Sequence, residues 1–232
     1  MSESHRRVPV AVDAFSSGQV GSKIWLAQLL EKLAPAYGQA GPHTIWIYGG
    51  WQGVLGFLLL SRQGAGGDFH IERVRSFDLD AEATEIANTL NENWVWREWQ
   101  FRAFTADCNT ILCRRESAAD GQSVDQDGDV IVPSNETFGP LPSIVINTSV
   151  EHFSDRAWFD RIPKGKIVAL QASDFDHDGV ALDRAEEFKS DAAFAAAYPI
   201  GDLWFSGSLS FEYGEGESSW GFQRRMLIGR IT

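Results

Sequence analysis

Asn147, Ser149, Glu151 and His152 crowd into one short stretch of Pro-Ser-Ile-Val-Ile-Asn-Thr-Ser-Val-Glu-His-Phe (142–153). Polar side chains at this density, at the end of an apolar run, cost free energy to bury unless they have partners or chemical work. Asn147 is the first candidate to meet a ligand, with Ser149 beside it and Glu151 or His152 placed to move a proton. An equally ordinary reading makes Glu151 and His152 a structural pair that caps a helix starting near Asp155.

A second such string is Ile-Tyr-Gly-Gly-Trp-Gln-Gly (47–53), between a β-rich run and an apolar helical segment. Glycines at that junction let the polar end of a ligand approach backbone amides and a helix N-terminus, so Gly49, Gly50 and Gly53 form a candidate cradle. A plain tight connection is the competing reading. Some thirty residues on, Ser-Phe-Asp-Leu-Asp puts Asp78 and Asp80 at a strand's end, where a carboxylate can accept both hydroxyls of a ribose. Asp80 can instead cap the helix that follows. Gln19 and Ser22, in Ser-Ser-Gly-Gln-Val-Gly-Ser-Lys (16–23), are placed to close over a carboxylate, against an ordinary N-cap role for Ser16 or Ser17. Trp51 and Tyr48 are the aromatic faces best placed to meet a cation, unless both only pack the turn.

The rest of the chain limits what such a site serves. A net charge of −12 repels polyanions, and no basic cluster interrupts it, so a small-molecule substrate is expected in place of nucleic acid or an anionic membrane. Cys108 and Cys113 match neither a zinc spacing nor a disulfide framework and suit a reducing cytoplasm. Asp174-Phe-Asp-His-Asp-Gly opens like a calcium loop, but position twelve is Ala185 and the Glu comes one residue late, so no metal is expected. The Walker, dinucleotide Gly-x-Gly-x-x-Gly and Gly-x-Ser-x-Gly patterns are missing. The N-terminus lacks the apolar core of a secretory signal, and the longest apolar stretch, Val54 to Leu60, is too short to span a bilayer, so a cytoplasmic location is expected.

The elements that must position these residues alternate. A leading helix is predicted over 16–37 from apolar residues at Ile24, Leu26, Leu29, Leu30 and Leu33. β-rich runs follow at 44–48, 71–77, 101–105, 143–147 and 166–171, separated by helical patterns near 52–62, 81–92, 154–161 and 183–196. This alternation predicts one α/β domain over 1–232, with a parallel sheet, helices on both faces, and residues 1–42 covering the site. Two last runs, 203–213 and 220–231, have no helix between them and predict an antiparallel hairpin. The polar, acidic stretch 114–140 is expected to be a flexible surface insertion.

A parallel sheet finished by such a hairpin is the topology of class I S-adenosylmethionine (SAM)-dependent methyltransferases. The strings YGGWQG, SFDLD, NTSVEHF, IPKGKIVALQASDF and RRMLIGR resemble small stand-alone members of that Rossmann-like group over nearly the whole chain from about Ser16. The sequence departs from the group at Tyr48, which replaces the acid of the usual Asp/Glu-x-Gly-x-Gly-x-Gly. The resemblance implies SAM as cofactor, a methyl or alkyl group passed to a small molecule, and Thr105, Ala106 and Asp107 at the adenine edge. A narrower kinship, with the azetidine-2-carboxylate synthases of secondary metabolism, implies instead that SAM is cyclised on its own amine with loss of methylthioadenosine. A non-catalytic SAM-binding module is the third reading the fold allows.

Overall fold

In the computed structural model, residues 9–38, 41–62, 69–95, 99–111, 138–174, 185–214 and 219–232 are described. The helices are α1 (Ser17–Leu33), α2 (Val54–Ser61), α3 (Ala81–Leu90), α4 (Glu92–Val95), α5 (Ala157–Asp160), α6 (Ala185–Phe188) and α7 (Asp191–Ala197). The strands are β1 (His43–Tyr48), β2 (Ile71–Asp78), β3 (Phe101–Thr105), β4 (Ile144–Asn147), β5 (Ile167–Ser173), β6 (Asp202–Tyr213) and β7 (Trp220–Arg230). They form one seven-stranded sheet in the order β3-β2-β1-β4-β5-β7-β6. β1 to β5 run parallel, and β7 enters antiparallel between β5 and β6. This is the expected α/β architecture, closed by the expected hairpin.

Period-two alternation fills both faces of the sheet. Ile45 and Ile47 of β1 face one core with Leu26 and Leu30 of α1 and Leu55 and Leu59 of α2. Trp46 and Tyr48 face the other, with Phe77, Phe104, Trp158 and Phe194. The free edge of β3 is blunted by α3, whose Asn88 side chain both accepts from Ala103 N–H (2.8 Å) and donates to Ala103 C=O (3.0 Å).

Three expectations change. The helix over 154–161 contracts to the single turn of α5, and that over 183–196 divides into α6 and α7, because Ser190 caps α7 by accepting from Ala193 N–H. Residues 138–140, expected within a flexible surface insertion over 114–140, are packed against the sheet. Phe138 is buried and packs edge-on against Phe77 and Phe104, its carbonyl accepts from Arg75 Nε (2.9 Å), and Pro140 C=O accepts from Trp46 Nε1. Residues 112–137, Cys113 among them, and 175–184, which hold most of the calcium-loop-like string, lie outside the described residues. Among the described residues no helix is long and apolar enough to cross a membrane, and no cluster of metal-ligating side chains occurs.

Candidate functional site

Strand order reverses between β1 and β4, and in open α/β sheets the crevice beyond the strands' carboxyl ends at such a point is where ligands bind. A cavity of about 540 Å³ lies there, within the roughly 300–1,000 Å³ of small-molecule sites. Its wall is built from the glycine turn after β1, the tip of β2, the loop after β3 and the segment after β4. A second cleft of about 600 Å³ runs along α3 and β3, away from that turn, and is an open groove whose lining includes Thr84, Glu85, Asn88, Arg102 and Thr105.

The turn is held by the β2 carboxylate. Asp78 Oδ2 accepts from Trp51 N–H at 2.8 Å, and Oδ1 from Asp80 N–H at 3.1 Å. Trp51 has φ of +45°, a left-handed conformation uncommon outside glycine, and the charged acceptor on its amide stabilises it there. Trp51 lies in the cavity wall beside Gly49 and Gly50. At Gly50 a Cβ would stand 1.9 Å from Ser76 Oγ and 3.2 Å from Ser76 Cβ, so the turn lies on β2 too closely for any side chain. Gly50→Ala is expected to cost about 1–3 kcal/mol in urea denaturation. Gly50→Ala combined with Ser76→Ala, which removes the clashing oxygen, recovers most of that loss; equal stability of single and double variants would contradict this packing.

Asn147, the last residue of β4 and expected to meet the ligand, is fully buried and not among the residues lining the cavity, with Oδ1 accepting from Ser149 N–H at 2.9 Å. Its Nδ2 has no partner among the described residues. Thr148, Ser149 and His152 line the cavity with Phe153. Glu151 turns away into a buried ion pair with Arg224 of β7 (3.0 Å). Neither alternative for Glu151, a capping pair with His152 or proton transfer in the site, is what the structure holds: Glu151 pairs with Arg224, because the antiparallel hairpin brings β7 beside β5 and the segment after β4.

Of the residues singled out in the sequence, Gln19, Gly49, Gly50, Trp51, Asp78, Ala106, Asp107, Ser149 and His152 share this one cavity. Others stand elsewhere. Tyr48 is 1% exposed and packs edge-on against Phe77 and Trp158, since alternation in β1 sends it into the core. Asp80 caps α3 through Glu82 and Ala83 N–H. Thr105 pairs with Thr84 along the second cleft. Ser22 donates to Gln19 C=O within α1, Ser16 is the α1 N-cap, and Gly53 is the left-handed N-cap of α2. Cys108 also lines the cavity, but burial pushes its thiol up to about 12, which keeps it protonated.

Sequence reading missed Lys23 and Arg224. Lys23 is 7% exposed and lies on the cavity wall, with Nζ donating to Gln19 Oε1 (2.5 Å) and Gln19 C=O (3.3 Å). Burial first, then the charge of Arg224, lower its pKa to about 7, against an opposing pull from Glu151. Between about 7 and the ordinary 10.5 the unfolded chain holds a proton that the folded one has lost, so stability rises with pH across that window. Lys23→Met is thus expected to melt above the parent at pH 7, with the gap closing toward pH 10.

The sheet order, the glycine turn at the switch point and the acidic tip of β2 define the fold of class I SAM-dependent methyltransferases. Magnesium protoporphyrin IX methyltransferase (ChlM) from Synechocystis PCC 6803, solved with bound SAM, matches with TM-score 0.50 and 12% identity over 97% of this chain and 86% of its own. The YcgJ protein from Bacillus subtilis matches with TM-score 0.53 and 11% identity, over 89% of this chain and 98% of its own. The CurJ carbon methyltransferase matches with TM-score 0.52 and 11% identity, over 95% of this chain and 57% of its own. No protein-family model and no curated protein matches the sequence. The likeness is one of fold, and nothing in it supports the narrower kinship with azetidine-2-carboxylate synthases.

Proposed function

We propose that the protein binds SAM in the cavity at the β1/β4 switch point and passes its methyl group to a small-molecule acceptor. The observation that carries this is the convergence of Gly49 and Gly50, Asp78, and Ala106 with Asp107 on one cavity of a size to hold a nucleoside-bearing ligand. The residues fit the group. Asp78 retains lone pairs for a ribose beyond the two amides it holds, Gly49 and Gly50 bring backbone without side chains to the cavity wall, and the partnerless Nδ2 of Asn147 is a buried donor at the end of β4.

When bound, SAM supplies a sulfonium-activated methyl carbon. The protein's part is then to orient and to exclude water. Trp51 and Phe153 supply aromatic rings to the cavity wall, a residue type suited to a cation, and Asn147 holds the Ser149 amide in place while Thr148, Ser149 and His152 offer hydrogen bonds to an entering acceptor. The acidic net charge favours a neutral or cationic small molecule over a polyanion.

Purified protein incubated with SAM, with and without a panel of small amines, phenols and carboxylic acids, tests the reading by mass spectrometry. S-adenosylhomocysteine that forms only with an acceptor present is expected. Methylthioadenosine from SAM alone would replace methyl transfer by the cyclising or lytic reaction, and unchanged SAM throughout would leave a binding module.

A further inference from the structure

Lys23 shares the cavity wall with Thr148, Ser149 and His152, and its surroundings are not those of a solvated lysine. Its ammonium nitrogen is held by two neutral oxygens of one residue, Gln19. No described carboxylate pairs with it, because Glu151, the acid that acts on it, is engaged by Arg224. Two N–H groups spent on Gln19 leave one position on Nζ, a third N–H or a lone pair, for the cavity. The charged and titratable groups around it are Arg224 from β7, Glu151 from the turn after β4, and Asp13, Asp78, Asp107, Cys108 and His152 on the same cavity wall.

We propose that Lys23 is the proton acceptor of the transfer, taking a proton directly from the nucleophilic atom of the small-molecule acceptor. This deepens the reading above and rests on it. The acceptor's X–H proton passes to the Nζ lone pair, its freed electron pair forms the bond to the methyl carbon, and the pair of the broken carbon–sulfur bond stays on sulfur as a thioether. Lys23 ends as an ammonium held by Gln19 and returns its proton to solvent. A base of this kind matches an acceptor that enters protonated and titrates near or somewhat above neutrality, an amine or an acidic hydroxyl. Burial and Arg224 bring Lys23 into the range where a neutral fraction exists at neutral pH.

The rival role is counter-ion to the carboxylate of SAM, and the two roles move protons in opposite directions. A base must be neutral beside the sulfonium and α-ammonium charges, so binding drives its proton off; a counter-ion must be charged, so binding draws a proton on. Calorimetric titration of SAM into the parent and Lys23→Met at pH 7, in two buffers of different ionisation enthalpy, counts those protons. Release of up to about half a proton per SAM is expected from the parent, since Lys23 titrates at about 7. The release should vanish in Lys23→Met and, in the parent, by pH 9. Proton uptake, or the same release from both proteins, overturns the role of Lys23 while leaving SAM binding intact. Titrations without heat from either protein overturn the SAM reading and this role together. The parent's pH series stands by itself should the variant fold poorly.

Discussion

Asp78→Ala is expected to weaken SAM binding by about 2–3 kcal/mol, roughly 30- to 150-fold. Two effects add. The carboxylate is the proposed partner of the ribose hydroxyls, and it also holds the Trp51 and Asp80 amides that shape the glycine turn. Asp80→Ala provides the contrast, because its carboxylate caps α3 through Glu82 and Ala83 N–H. That variant should lose about 1 kcal/mol of stability and bind SAM like the parent. Calorimetry on both proteins, paired with urea melts, separates the roles; equal losses of affinity would remove Asp78 from the site.

The largest expected loss of stability comes from Glu151→Ala. Its carboxylate is 3.0 Å from Arg224 Nη1, and the two side chains are 3% and 7% exposed. Deleting one partner strands a charge out of water, at about 3–5 kcal/mol. Glu151→Ala combined with Arg224→Met removes both charges and should regain most of that loss, as urea denaturation would read. The pair is also coupled to the cavity. Arg224 lowers the Lys23 pKa and Glu151 raises it, so Arg224→Met alone should move Lys23 upward and Glu151→Ala downward, observable by NMR of labelled lysine side chains. An unchanged Lys23 titration in both variants would contradict the coupling.

The sheet was legible because its signals are local and repeated. β1 reads as a strand from its β-branched and aromatic content, and parallel strands separated by helical patterns leave few topologies, of which the terminal hairpin selects one. That Gly49, Gly50 and Asp78 would meet at one cavity was legible for a similar reason: glycines at a strand-to-helix junction and an acid at the next strand's end carry positional meaning. What failed depends on contacts across the fold. Tyr48 stands where the sequence resemblance calls for an acid, yet strand alternation points it into the aromatic core. Lys23 reads in sequence as one more solvated helix lysine, and only the packing of α1 over the sheet buries it. Arg224 meets Glu151 across 73 residues, a pairing that no spacing encodes. The choice between Asp78 and Asp80 likewise waits on geometry, since either can cap a helix and only one lines the cavity.

The most direct measurement is a crystal structure of the protein soaked with S-adenosylhomocysteine. The ribose hydroxyls are expected on the Asp78 carboxylate, the adenine beside Ala106 and Asp107, and the sulfur near Asn147 and Lys23. Nucleoside density in the groove along α3, or a crevice that takes up no nucleoside at saturating concentration, would contradict this placement.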